Sequence, residues 1–208
     1  MARLAVNPTR MELRRLKTRL KTAERGHKLL KDKSDEMIRQ FMIYVRENKR
    51  LRQELEGDLA EALHAFMLAR AVSSVQDVGQ ALCMPALKAQ VQTGLKNVMG
   101  VDVPSIDITS AGEAVLPYAF AGVSSEMDVA VMKISALMEK LLKLAEVEKT
   151  CNMLADEIEK NRRRVNALEY VMIPQLNETI KYIIMKLDEN ERGNLVRLMK
   201  VKSMINEK

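Results

Sequence analysis

The sequence predicts a mainly α fold in which two long terminal helices pair antiparallel as a left-handed coiled coil around a short connector. Three observations carry this expectation. Charged residues make up 30% of the 208-residue chain and aromatics only 3%, with no tryptophan. Such a composition suits long paired helices better than a large globular core built on aromatic rings. Apolar residues recur in steps of three and four over both ends of the chain, whereas the middle holds most of the glycine and proline. Three parts follow: residues 1–70, a connector at 71–125, and residues 126–208.

The first helix begins after Asn7-Pro8-Thr9, where Thr9 stands as an N-cap with Glu12 three positions on, a capping-box spacing. One stripe then runs Leu13, Leu16, Leu20, Ala23, His27, Leu30, Ser34, Met37, Phe41, Tyr44, Asn48, Leu51, Leu55. Strict alternation of three and four is a heptad seam. Beyond Leu55 the large apolar residues suggest a one-residue slip, through Leu59, Leu63 and Phe66. At about 1.5 Å per residue the helix would reach roughly 85 Å.

In the connector, residues 71–98 are expected to form one or two short helices broken near Pro85. A β-hairpin is expected at about residues 101–120. Ile106 and Ile108 alternate with Asp107 and Thr109, Ser110 to Glu113 supply a turn, and Val115 and Tyr118 belong to the returning apolar run. Pro104 and Pro117 would then sit at edges or ends.

The last part carries a looser stripe: Ile134, Leu137, Leu141, Leu144, Cys151, Leu154, Ile158, Val165, Leu168, Met172, Leu176, Ile180, Ile183 and Leu187, with Leu195 and Leu198 beyond. Pro174 lies inside it. A proline removes one helical hydrogen bond, but the stripe resumes, so the expectation is a kinked helix and not a break. Two seams on one chain can bury each other by folding back, and a seven-residue repeat gives the pair a left-handed supercoil.

Chemistry is sparse along this chain. The stretch ERGHKLLKDKSDE puts a glycine before several lysines, yet a phosphate loop needs GxxxxGK[ST] after a strand, and neither is present. Gly26 lies in helical register, as a close-approach position or as a tolerated glycine costing about 1 kcal/mol. His27 is on the seam, and His64 would lie some 55 Å along the same helix, so a shared metal is excluded. His27, Ser34 and Asn48 are polar seam positions of the kind that fix register. The fifteen methionines read as adaptable packing. Cys83 and Cys151 form no CxxC pair, and are expected as reduced thiols of a cytosolic protein. No nucleophile elbow, HExxH or glycine-rich cradle occurs, so the expectation is a non-enzyme with no cofactor. No apolar run of 18 residues is present to span a membrane, and no signal peptide opens the chain.

Charge is uneven. The first 56 residues hold 16 Lys/Arg against 8 Asp/Glu, whereas residues 57–125 carry a net −3 and residues 126–208 a net +1. A basic first helix can meet nucleic acid, an anionic membrane or an acidic protein. Arg162, Arg163 and Arg164 fan over about 200° of helix. They form either a solvated face, neutralised by Asp156, Glu157 and Glu159, or a clamp on carboxylates or phosphates.

Two stretches resemble a known family. NPTRMELRRLKTRLKTAERGHKLLKDKSDE, residues 7–36, resembles the N-terminal signature of the D subunit of the V-type and archaeal-type rotary ATPases. NRRRVNALEYVMIPQLNETIKYIIMKLDENER, residues 161–192, resembles its C-terminal signature. The resemblance implies the central axle of a rotary motor, cytoplasmic and peripheral to the membrane. It would be inserted in a ring of A and B subunits that hydrolyse ATP, with an F subunit on its side. Its lower end would dock on a funnel-shaped C or d subunit above the membrane ring that moves H⁺ or Na⁺. It also implies a short β-hairpin in the connector. On that reading Arg10, Arg14, Arg15 and Lys17, with Arg192 and Arg197 on the returning helix and the 162–164 run, would face acidic or carbonyl-rich surfaces of the ring bore. The other reading is a basic coiled-coil nucleic-acid-binding or scaffold protein. Against nucleic acid, the basic residues share turns with Leu13, Leu16 and Leu20, and no aromatics interleave for stacking.

Overall fold

A computed structural model describes residues 4–83, 88–111, 116, 118 and 123–206. In chain order the elements are helix α1 (Arg10–Val72), helix α2 (Val75–Ala81), strands β1 (Lys88–Val98) and β2 (Val101–Ala111), and helix α3 (Ser125–Ala167). A π-helical turn (Leu168–Met172) and helix α4 (Ile173–Asn206) complete it. The fold class is the expected one: mainly α, with long terminal helical stretches, a short helix and a two-stranded hairpin. The elements gather into two compact units, Met1–Glu36 with Ile158–Lys208, and Met37–Glu157.

In the first unit α1 starts where the cap places it. The Thr9 hydroxyl accepts from the Glu12 N–H at 3.2 Å, taking up one of the unpaired donors of the first turn. Leu16 and Ala23 of α1 bury against Leu176, Ile180 and Ile183 of α4, flanked by Leu13, Leu20, Leu168 and Leu187. The pairing is antiparallel. Arg10 bonds to Glu191, whereas His27, further along α1, meets Glu169, further back on the other side. Before α1, the Leu4 N–H donates to the buried Thr179 hydroxyl at 3.3 Å. Thr179 in turn donates to the Gln175 carbonyl, so its polar atom is satisfied inside the seam.

Pro174 does not end the helix. The chain enters it through the π turn, in which the Ile173 N–H donates to the carbonyl five residues back, on Leu168. In α register the Tyr170 carbonyl would face the pyrrolidine ring, which has no N–H and clashes with it. The wider turn is the local answer to that clash, and π turns are a recognised source of helix irregularity.

The second unit is also an antiparallel pair. Met37, Leu55, Ala62, Ala65 and Ala69 of α1 are buried, as are Met127, Ala130, Leu137, Leu144, Cys151 and Leu154 of α3. Asp58 bonds to Lys140, and Glu61 to Lys133 at 3.2 Å. The expected slip after Leu55 does not occur. Leu59 and Leu63 are exposed, and the three-four rhythm continues through Asp58, Ala62, Ala65 and Ala69. Small side chains keep the seam by letting helices approach, so size misled where spacing did not. Phe66 still packs, partly buried, on the cluster of Ala69, Val78 and Met127. On α3, Ile134 and Leu141 are exposed, while Met127 and Ala130 extend the buried stripe beyond its expected start.

The hairpin exists but lies earlier than expected. Strand β1, in a stretch read as helical, pairs antiparallel with β2 from Lys88↔Ala111 to Val98↔Val101. Alternation in KAQVQTGLKNV, with β-branched Val91 and Thr93, carries the strand. The turn is Met99-Gly100, with φ of 55° and 85°. Two positive φ values are what a two-residue hairpin loop requires. Ser110 and Ala111, expected in the turn, are the end of β2. Ile106 and Ile108 lie on β2, Val115 lies outside the described residues, and Tyr118 follows the hairpin. The Ile106 N–H points away from β1 and donates to the Glu146 carboxylate of α3 at 3.3 Å. Pro104, two residues back, has the same orientation, so its missing N–H costs no ladder bond.

Candidate partner-binding surfaces

The basic residues of α1 and α4 divide by whether the fold already uses their charge. Arg10 is tied to Glu191, Arg192 to Glu189 at 3.2 Å, and Arg15 lies 3.9 Å from Glu12. These pairs are solvent-exposed, so each is worth little and opens readily to a partner. Arg14, Lys17 and Arg197 are exposed and have no ion partner among the described residues. The arginine run divides likewise. Arg163 pairs with Glu159 on its own helix, and Arg164 donates to the buried Asn161 amide oxygen at 3.3 Å. Arg162 is exposed, with no ion partner among the described residues. All three arginines are exposed, and Arg163 is neutralised on its own helix as a solvated face would have it. Arg164 is held to Asn161, Arg163 to Glu159, and Arg162 remains for a partner.

Two of the polar seam positions, His27 and Asn48, find partners across the pair. His27 Nε2 lies 3.3 Å from a Glu169 carboxylate oxygen at the π turn. Asn48 hydrogen-bonds to Cys151, whose thiol burial pushes above its ordinary pKa. Burial keeps that thiol neutral and unreactive. Such pairs are satisfied only in one register, which is the role expected of polar seam residues. Among the described residues no group of three or more His, Cys, Asp or Glu is placed to hold a metal ion. No helix among them is long and apolar enough to cross a membrane.

Sequence periodicity passed over one surface. Every described residue of α4 from 191 onward is exposed, including Leu195, Val196, Leu198, Met199, Val201, Met204 and Ile205. In the sequence Leu195 and Leu198 read as an extension of the seam. The signal that separates this stretch is that its apolar residues surround the helix and define no single stripe. Exposed apolar surface interspersed with Arg197, Lys200 and Lys202 suits contact with another protein.

Comparison with known proteins agrees with the resemblance drawn from residues 7–36 and 161–192. The chain matches the family described as the ATP synthase D subunit over residues 12–203. It is 52% identical over 206 residues to a V-type ATP synthase D subunit of Thermoanaerobacter sp. (strain X514), covering 99% of each chain. It is 56% identical over 207 residues to the protein of that name in Clostridioides difficile (strain 630), covering 99% of this chain and 93% of that one. The corresponding protein of Fusobacterium nucleatum is 52% identical over 207 residues, with 99% and 98% covered. Matched over 99% of its length by relatives at 52–56% identity, the chain belongs to the D-subunit family of the V-type ATP synthases.

Proposed function

We propose that this chain is the non-catalytic central axis of its rotary ATPase, carrying torque between ATP hydrolysis in a ring of A and B subunits and H⁺ or Na⁺ movement by a membrane ring. An F subunit and a funnel-shaped C or d subunit complete its contacts, and it works in the cytoplasm, peripheral to the membrane. The observation that carries this reading is the antiparallel seam in each unit, buried at its centre and tied across by ion pairs at its edges. Paired helices resist bending better than one. They also present an uneven surface, so ring interfaces meeting different faces can be biased toward different states. The exposed Arg14, Lys17, Arg162 and Arg197, without ion partners among the described residues, supply polar contacts on the surface of the pair.

Co-purification with the A, B and F subunits tests the reading, with ATPase activity assayed with and without this chain. The chain is expected to join the ring and to hydrolyse no ATP alone. Arg14→Glu with Lys17→Glu should weaken assembly, and more so at low salt, since exposed charges are screened within about 10 Å at 0.1 M. ATP hydrolysis by the purified chain, or strong DNA binding with no affinity for the ring, would overturn it.

A further inference from the structure

The π turn does more than accommodate Pro174. Beside it lies a hollow of about 240 Å³, lined by Leu4, Arg19, Ala167, Val171, Met172, Gln175 and Leu176. All these residues belong to one unit, so the hollow is a feature of the α1–α4 pair itself. Its floor is the buried Leu176, and its walls are the half-exposed Val171 and Met172. Ala167, the last residue of α3, leaves space where a longer side chain would fill it.

The rim is cationic. Arg19 is exposed, and its side chain makes no hydrogen bond or ion pair among the described residues. No carboxylate lines the hollow among the described residues, and Glu169 of the adjoining π turn faces His27. An apolar recess beside an uncommitted arginine matches one kind of protein contact, a buried anchor with a charge at its rim.

We propose that this hollow is a socket for a partner protein's apolar side chain that carries a carboxylate beside it, presented by an acidic surface of the A/B ring. Arg19 takes the carboxylate and Val171, Met172 and Leu176 take the apolar group. The inference rests on the proposed function, because that reading brings the ring to this chain.

The experiment titrates fluorescently labelled chain into reconstituted A/B ring. It compares the native sequence with Arg19→Glu, Ala167→Phe and a control, Lys31→Glu, which changes the same charge at an exposed site away from the hollow. Helix content and Tm of each variant are checked first; all three substituted sites are exposed, so folding is expected to hold. Arg19→Glu and Ala167→Phe should each weaken ring binding about tenfold, the scale of one good anchor. Lys31→Glu should change it less than about threefold, as expected of a charge outside the contact. The Arg19→Glu loss should shrink at about 0.5 M salt, whereas the Ala167→Phe loss should persist. Ring binding by Arg19→Glu and Ala167→Phe as tight as the native chain's, or a loss no larger than the control's, overturns the socket and leaves the proposed function standing. Failure of the native chain itself to bind the ring overturns both.

Discussion

Single residues show how little of this surface is committed to the fold's own stability. Gly26 is the clearest example. A Cβ built there meets nothing within 4 Å, so the glycine is tolerated and not demanded by a close approach. Gly26→Ala should therefore raise stability by about 0.5–1 kcal/mol in denaturant unfolding, the helix-propensity difference alone. Tyr118 behaves oppositely. Its burial, and then its 2.6 Å hydrogen bond to the Asp128 carboxylate, hold the phenol well above its ordinary pKa of 10.0. A folded pKa above the unfolded one stabilises the protein below pH about 10 and loses that contribution as pH rises past it. Tyrosinate absorbance should show one of the four tyrosines ionising later than the others, and Tyr118→Phe should remove that late component.

Among the elements, α1 was the most legible and the connector the least, and the physical reasons differ. A heptad seam is written in spacing, so the stripe from Leu13 to Leu55 is buried or partly buried at every position. Where the rhythm continued on Ala62, Ala65 and Ala69, large neighbours at Leu59 and Leu63 masked it, because hydrophobicity weighs size and packing weighs position. Those alanines are there for close approach. Ala62, fully buried, should not accept bulk: Ala62→Leu is expected to cost about 1–3 kcal/mol in equilibrium unfolding, although it makes the stripe look stronger. Strand β1 was missed because Met99 is an unusual residue for a left-handed turn position, so the Asn-Gly type of signal was absent. The candidate surface was legible as charge alone. The charge run alone does not say which arginine is engaged: Arg164 reaches the buried Asn161 three residues back, whereas Arg162 has no ion partner among the described residues.

At the scale of the whole molecule, partner-facing charge is interleaved with the core in the paired stretches, while the end of α4 carries exposed side chains alone. No described residue from 191 onward is even partly buried, yet this stretch is rich in leucine, valine and methionine. Deleting residues 193–208 should leave the stability of the remaining chain, measured by denaturant unfolding, within about 0.5 kcal/mol of the full one, as for surface changes generally. Its affinity for the A/B ring should fall. A large loss of stability would assign that stretch to the fold instead.

If, as proposed, the chain turns while other subunits carry out the chemistry, its two cysteines provide the means to watch it. Cys83 is exposed and Cys151 buried, so a maleimide-linked bead attaches selectively at Cys83. With the A/B ring fixed to a surface and ATP supplied, the bead should rotate steadily in one direction and stop when ATP is withdrawn. A bead that stays still while the assembled ring hydrolyses ATP would contradict the proposal.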